Sequence, residues 1–421
     1  MRGHQAGFRA TKEESISCPE MSETPILDLE REPPEPSKPW LPKLIGVIAG
    51  LLVTLTFILE DQDKLPNWHW PAFNGLLIIP ALYVSIAIHE IGHLVAGTLV
   101  GLDTGGIAIG GFVFAKSGKN WTFRFDRRMW VSGFFKPLTP AAAFPPARFA
   151  WMIGGGPLAS FALAVVCFLI YVYSGNGIWD SFGSLFWLAL FTLIISSVPF
   201  SSGLNKSDGA RLWLLLRRPD QARSWIALLA LHTEEAKGLR PREWNPEYFR
   251  QVLSFNIAST EYPYCQLLAF FRRLDEGAEF VALHHLENAL ARSASTGKLF
   301  RQALFLEAAS ASANVRKRAA QARIWCERGC KLRKPESLDV VKAGIAMCEK
   351  RYEDALQHWG AARAWAVRRR LDSGLIRFAK EKWAESETIC RAAMDEKHIR
   401  AQNSEGPGSL KLQGNSQPLI D

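Results

Sequence analysis

ALYVSIAIHEIGHLVAGTLV, residues Ala81 to Val100, sets His89, Glu90 and His93 inside an apolar run that carries no other charge. The run extends back to Phe73 and forward to Leu102, which as a helix exceeds the roughly 30 Å of a bilayer hydrocarbon core. An ionisable side chain at that depth is costly unless something pairs with it, so three within five residues require a partner such as a metal ion. His89 lies sixteen residues after Phe73, about 24 Å of helix, which places the cluster in one half of the core near a membrane face.

Three further apolar runs flank this stretch: Leu44 to Leu59, Phe149 to Tyr173 and Leu185 to Phe200. Between the second and third runs, GIAIGGFVFA, WTFRFD and MWVSGFFKP are short and rich in Gly, aromatic and β-branched residues, the signature of β-hairpins over residues 105–135. Lys116, Lys119, Arg124, Arg127, Arg128 and Lys136 outnumber Asp103 and Asp126 there, so the positive-inside rule places these hairpins on the cytosolic side. Arg211, Arg217 and Arg218 follow the last run with the same sign. Four spans, about 44–59, 73–102, 149–173 and 185–200, with both termini cytosolic, satisfy every loop.

The predicted fold is mainly α: a polytopic membrane helical core with a small membrane-associated β-hairpin region, followed by a soluble all-α helical-repeat domain. Residues 1–42 are polar and proline-bearing (EPPEPSKP) and read as a disordered tail with no cleavable leader. The membrane domain covers 43–218, the helical domain 219–400, and a glycine-bearing tail 401–421. KRYEDALQHWGAARAW and EKWAESETICRAAM align at an offset that matches Tyr352 with Trp383, which suggests helix hairpins resembling tetratricopeptide repeats.

With 48% hydrophobic and 22% charged residues the average composition looks soluble, because the two halves offset one another. The formal charge of +9 sits largely beside the spans and accompanies no nucleic-acid-binding motif, so it reads as a topology signal rather than a nucleic-acid surface. The cysteines are scattered and read as reduced packing thiols, including Cys326 and Cys330 on one helix face. His284 and His285 read as packing or surface residues of a soluble helix.

Residues four apart share a helix face, so His89 and His93 can present two imidazoles to one zinc ion, with Glu90 beside the open coordination position. A catalytic zinc takes three protein ligands and a water, and a neighbouring carboxylate can serve as general base. His69 and Cys167 lie towards the other membrane face, which disfavours them as third ligand. Asp208, in SSVPFSSGLNKSDGARLWLLL, follows a run that ends on the same face as His89 and His93. Pro199 and Gly203 can break that helix and turn Asp208 back towards the site. The competing reading for Asp208 is a helix cap, and for Gly154, Gly155, Gly156 and Pro157 it is close helix packing.

HEIGH in a span, Gly-Gly-Pro in the next and a downstream Pro with an Asp-Gly pair together resemble the site-2 protease family of intramembrane zinc metalloproteases. The resemblance covers roughly Phe73 to Arg218 and implies His89, His93 and Asp208 as zinc ligands and Glu90 as catalytic acid and base. It implies a membrane-spanning protein substrate cut near the cytosolic face, releasing a membrane-tethered regulator, in a multi-pass protein of a bacterial inner membrane. This chain departs from the family pattern in having Ser196, where Asn is usual, before Pro199; Asn205 is the candidate substitute. No PDZ domain is evident, so substrate recognition is expected to differ, and the helical repeats are expected to bind substrate or an adaptor because stacked hairpins form concave surfaces. The alternative is a catalytically inactive membrane scaffold whose repeats carry the function.

Overall fold

A computed structural model of the chain describes residues 26–27, 33–35, 69–117, 120–127, 132–138, 145–173, 181–202, 205–369 and 372–404. The first predicted span, Leu44 to Leu59, lies outside the described residues, as does the tail after Ser404.

Helix α1, His69–Leu99, runs unbroken through Pro80. Its predicted end at Leu102 is corrected to Leu99. Gly101 takes a left-handed φ of +85°, and the amides of Gly101 and Leu102 donate to the carbonyls of Thr98 (3.0 Å) and Gly97 (2.9 Å). These bonds form a glycine C-cap that satisfies the last carbonyls and stops the helix. Four antiparallel strands follow: β1 Asp103–Ile109, β2 Phe112–Ser117, β3 Asn120–Phe125 and β4 Gly133–Leu138, in the spatial order β3-β2-β1-β4. GIAIGGFVFA carries two strands, β1 and β2, with the turn at Gly110. There φ is +58° and a Cβ would run into the Tyr83 ring of α1, so only glycine fits.

Helix α2, Pro146–Tyr173, starts at a proline, which needs no amide partner at that position. Helix α3, Ser181–Ser197, ends three residues before its predicted limit, because Val198 precedes Pro199 and the α conformation is disfavoured there. By length and composition α1, from Leu77, and α2 can cross a membrane; α3 is apolar but shorter. Ile79, Val84, Leu158, Phe161, Val166 and Ile194 are exposed on these three helices, the outward apolar surface that lipid accommodates.

Small residues bring α1 and α2 together. A Cβ on Gly155 would stand 2.5 Å from both the Gly92 carbonyl oxygen and the Ala96 Cβ, so the two backbones touch without intervening side chains. Helices α1 and α3 are joined by buried Ser85, whose hydroxyl lies 2.9 Å from Thr192 Oγ1 and 3.3 Å from the Leu188 carbonyl.

After α3 the chain makes a two-residue-per-strand hairpin, β5 Ser201–Ser202 and β6 Asn205–Lys206, then enters α4, Asp208–Arg217. The remaining helices are α5 Pro219–Ala236, α6 Pro246–Leu253, α7 Tyr262–Asp275, α8 Glu279–Ala291, α9 Lys298–Asn314, α10 Ala319–Leu332, α11 Asp339–Cys348, α12 Tyr352–Arg368 and α13 Gly374–Ser404. They pack largely in sequence-adjacent pairs, α7 with α8, α9 with α10 and α11 with α12. Trp359 of α12 stacks on Trp383 of α13 at 6.4 Å between ring centroids. Tyr352 opens α12 whereas Trp383 lies well inside α13, so the two aligned residues occupy different places in their helices.

Two sets of contacts cross the expected domain limits. The boundary at residue 218 has no linker: Ala222 and Ile226 of α5 share one core with Phe149, Met152 and Ile153 of α2 and Leu215 of α4. Of the N-terminal segment, Ile26 and Leu27 are buried in the helical domain's main core.

Candidate metal centre

The three predicted ligands meet. His89 and His93 present Nε2 atoms 3.2 Å apart, and Asp208 Oδ2 lies 3.0 Å from the first and 3.3 Å from the second. All three side chains are buried. A tetrahedron with metal–ligand bonds of 2.0–2.1 Å has edges of about 3.3 Å, so the triangle has the size that one zinc ion needs.

The rings are oriented from behind. His93 Nδ1 lies 3.0 Å from the Met152 carbonyl, which can only accept, so Nδ1 carries the proton and Nε2 turns a lone pair towards the centre. His89 Nδ1 pairs with Ser160 Oγ at 2.9 Å. Both partners are on α2. Metal-ligating histidines commonly show such supports. An imidazole lone pair and a carboxylate facing one another at 3.3 Å repel unless a proton or cation lies between them, so the donor set itself fits a metal.

Glycine makes room for this centre. A Cβ on Gly156 would overlap His93 Nε2 and stand 2.8 Å from His89 Nε2. The Gly-Gly-Pro segment therefore serves helix packing through Gly155 and clears the donor side of the imidazoles through Gly156.

Asp208 does not cap its helix, because Ser207 does. The Ser207 hydroxyl accepts from the Ala210 amide (3.2 Å) and the Phe200 amide (3.1 Å) and donates to the Val198 carbonyl (2.6 Å). One serine thus caps α4 and ties down the chain that leaves α3, freeing the Asp208 carboxylate to face the imidazoles. Arg211, one turn on, stands 3.6 Å from Asp208 Oδ1 and holds the oxygen that faces away from them.

The Asp-Gly pair has a steric cause, since a Cβ on Gly209 would collide with the Ser197 carbonyl oxygen. Gly209→Ala is expected to push α4 off the end of α3, displace Asp208 and weaken metal affinity at least tenfold. Competition with a chromogenic chelator measures this, with unchanged helical circular dichroism as the control.

Glu90 sits beside the triangle without joining it. Its Oε2 is buried and, among the described residues, has no hydrogen-bond partner. Its Oε1 lies against Gly133 at the start of β4, where a Cβ would stand 2.5 Å away. The carboxylate therefore lies between the metal triangle and an edge strand of the sheet.

Ser196 is bonded into its own helix, donating to the Leu193 carbonyl at 3.1 Å. The expectation for Asn205 concerns a side chain outside the described residues. Cys167 is buried in α2, and Cys326 and Cys330 are free thiols. His285 packs against α7, its Nδ1 2.7 Å from Gln266 Oε1.

Sequence reasoning missed Ser160, Met152, Ser207 and Arg211. Arg211 alone left a readable signal, an Asp and an Arg three apart on a helix. It also missed the anchor of the β5–β6 hairpin. Lys206 Nζ reaches Glu261 Oε1 at 2.5 Å, in a contact largely withdrawn from solvent, and fixes the approach to Asp208 onto the helical domain. Burial alone would raise the Glu261 pKa, but Lys206 and then Ser259 outweigh it and hold the carboxyl below its usual range.

A depressed folded pKa contributes stability that is present above the unfolded value and lost as the pH falls through the folded one. Lys206→Met is therefore expected to cost about 1–3 kcal/mol near pH 7 in thermal or urea melts. The gap from wild type should close below about pH 4.

Among families of known proteins, residues 77–380 match the model of a family described as peptidase family M50. No curated protein and no solved structure matches the chain.

Proposed function

The chain belongs to peptidase family M50, and from that premise we propose that it is an intramembrane zinc metalloendopeptidase. Its substrates are membrane-spanning proteins, cut near the cytosolic face so that a tethered regulator is released. The observation that supports this most is the buried triangle of His89, His93 and Asp208, with edges of 3.0–3.3 Å, beside the unpartnered Glu90 carboxylate.

His89 and His93 from α1 and Asp208 from α4 would hold the ion. When bound, zinc supplies Lewis acidity to the scissile carbonyl and acidifies a water molecule. Met152 and Ser160 keep the imidazoles turned to the centre, and Arg211 does the same for Asp208. Glu90 Oε2 takes the proton of the attacking water and delivers it to the leaving amine. The apolar packing of α1, α2 and α3 limits bulk water around these groups, which strengthens each electrostatic interaction.

A helical substrate shields its peptide bonds and must be presented unwound. Strand β4 is at one edge of the sheet and its first residue touches Glu90, so an extended segment adding to that edge would run past the carboxylate.

The four-span topology draws support from the tail. Ile26 and Leu27 pack in the core of the helical domain, so tail and domain share one side of the membrane and the chain between them crosses an even number of times. With α1 and α2 as crossings and the shorter apolar α3 as a third, the apolar run Leu44 to Leu59 would be the fourth. The positive loops favour the cytosol as that side.

In nanodiscs, the purified chain is expected to cleave a membrane-spanning reporter, to stop on treatment with a chelator and to resume with stoichiometric zinc. Cleavage indifferent to the chelator, or no cleavage by the zinc-loaded chain of any reporter with a helix-breaking span, would count against this reading.

A further inference from the structure

The helical domain holds two residues of the N-terminal tail in the manner of a bound peptide. Ile26 and Leu27 belong to the same buried apolar cluster as Phe270, Leu286, Leu304, Phe305 and Trp325, and each is 2% exposed. Their backbone amides both donate to one carboxylate, Ile26 to Glu287 Oε1 and Leu27 to Glu287 Oε2 at 2.8 Å. The Trp325 indole donates to the Leu27 carbonyl at 3.1 Å.

Glu287 is on α8 and Trp325 on α10, so the dipeptide lies across neighbouring helix hairpins, the place where stacked hairpins form a concave face. More than two hundred and fifty residues separate it from its contacts. Ile26 and Leu27 lie in a turn, so their adjacent amides converge on one carboxylate while both side chains enter the apolar cluster, a combination by which a receptor reads a short segment.

A second group on α9 indicates what should follow the aliphatic pair. Arg301 is 6% exposed, lies over the Phe305 ring at 5.3 Å, and among the described residues its Nε and Nη1 have no hydrogen-bond partner. Burial disfavours its charge, and Glu35 of the same tail offsets part of that effect. The tail reads PILDLEREPPE from Pro25, with acidic residues downstream of the two aliphatic ones.

We propose that the helical domain is a receptor for protein segments that present two adjacent aliphatic residues at a turn, followed by acidic ones. In this chain the tail occupies the receptor in cis. The tether gives the tail an effective concentration in the millimolar range, so a partner segment of the same chemistry gains the groove only by displacing it. Nothing in this inference depends on the metal centre.

The test uses the full chain in detergent and a fluorescent peptide of residues 21–36, MSETPILDLEREPPEP. The peptide should bind the Ile26→Asp/Leu27→Asp variant at least tenfold more tightly than wild type, whose groove is filled. Adding Glu287→Gln should remove most of that binding, because both backbone bonds lose their charged acceptor. A peptide with Asp at both aliphatic positions should not bind.

Equal affinity for wild type and the double variant, or indifference to Glu287→Gln, would overturn the proposal. Hydrogen exchange on the chain with its native tail decides the matter should the double variant misfold. The amides of Ile26 and Leu27 should be protected in wild type and released by Glu287→Gln while α8 to α10 stay protected. Unprotected amides in wild type, or loss of protection throughout α8 to α10, would refute a separable bound segment.

Discussion

Glu90→Gln is expected to lower cleavage of a membrane-spanning reporter by about a thousandfold, within the range for loss of a general base, and to leave zinc content unchanged. The substitution keeps the side chain's size and the contact with Gly133, and Glu90 stands outside the triangle of donors. What it removes is a carboxylate oxygen that is buried without a partner, the atom placed to take a proton. A chain acting only as a scaffold would show the same lack of cleavage in both proteins. Loss of zinc together with activity would instead assign Glu90 a ligand's part.

Gly156→Val is expected to empty the metal centre, lowering zinc affinity at least tenfold and abolishing cleavage. Even a single Cβ there would overlap His93 Nε2 and crowd His89 Nε2 at 2.8 Å. The backbones of α1 and α2 already touch at Gly92 and Gly155, so the helices cannot separate without losing their interface. Gly154 provides the control on the same turn, since a Cβ there meets nothing within 4 Å. Gly154→Ala should keep both metal and activity, and normal zinc binding by Gly156→Val would contradict the packing described above.

How much of this was legible in the sequence depends on the range of the interaction that fixes each residue. His89, Glu90 and His93 lie on one helix, so their spacing carries their geometry. Asp208 could be read because Pro199 must end α3 and a glycine follows the carboxylate. Its partners could not: Ser160 and the Met152 carbonyl reach the imidazoles from α2, and a serine or a backbone carbonyl in an apolar helix leaves no pattern. The hairpins were legible from composition, yet the turn at Gly110 was not, because the Tyr83 ring that makes glycine necessary there belongs to α1.

The contacts that cross the expected domain limits were not legible for a related reason. Periodicity separates a lipid-facing helix from an aqueous one, but α5 belongs to both settings through Ala222 and Ile226, which pack on α2. Burial of two adjacent residues, Ile26 and Leu27, within an acidic, proline-rich stretch produces no periodic signal. The Lys206–Glu261 pair is likewise a contact between distant segments, visible only once both are in place.

Zinc K-edge X-ray absorption on the full chain in nanodiscs bears most directly on the central claim. One zinc per chain is expected, with a first shell of two imidazole nitrogens and light oxygen donors at about 2.0–2.1 Å, and Asp208→Ala should abolish stoichiometric loading. A shell containing sulfur, a single imidazole, or full loading of Asp208→Ala would contradict it.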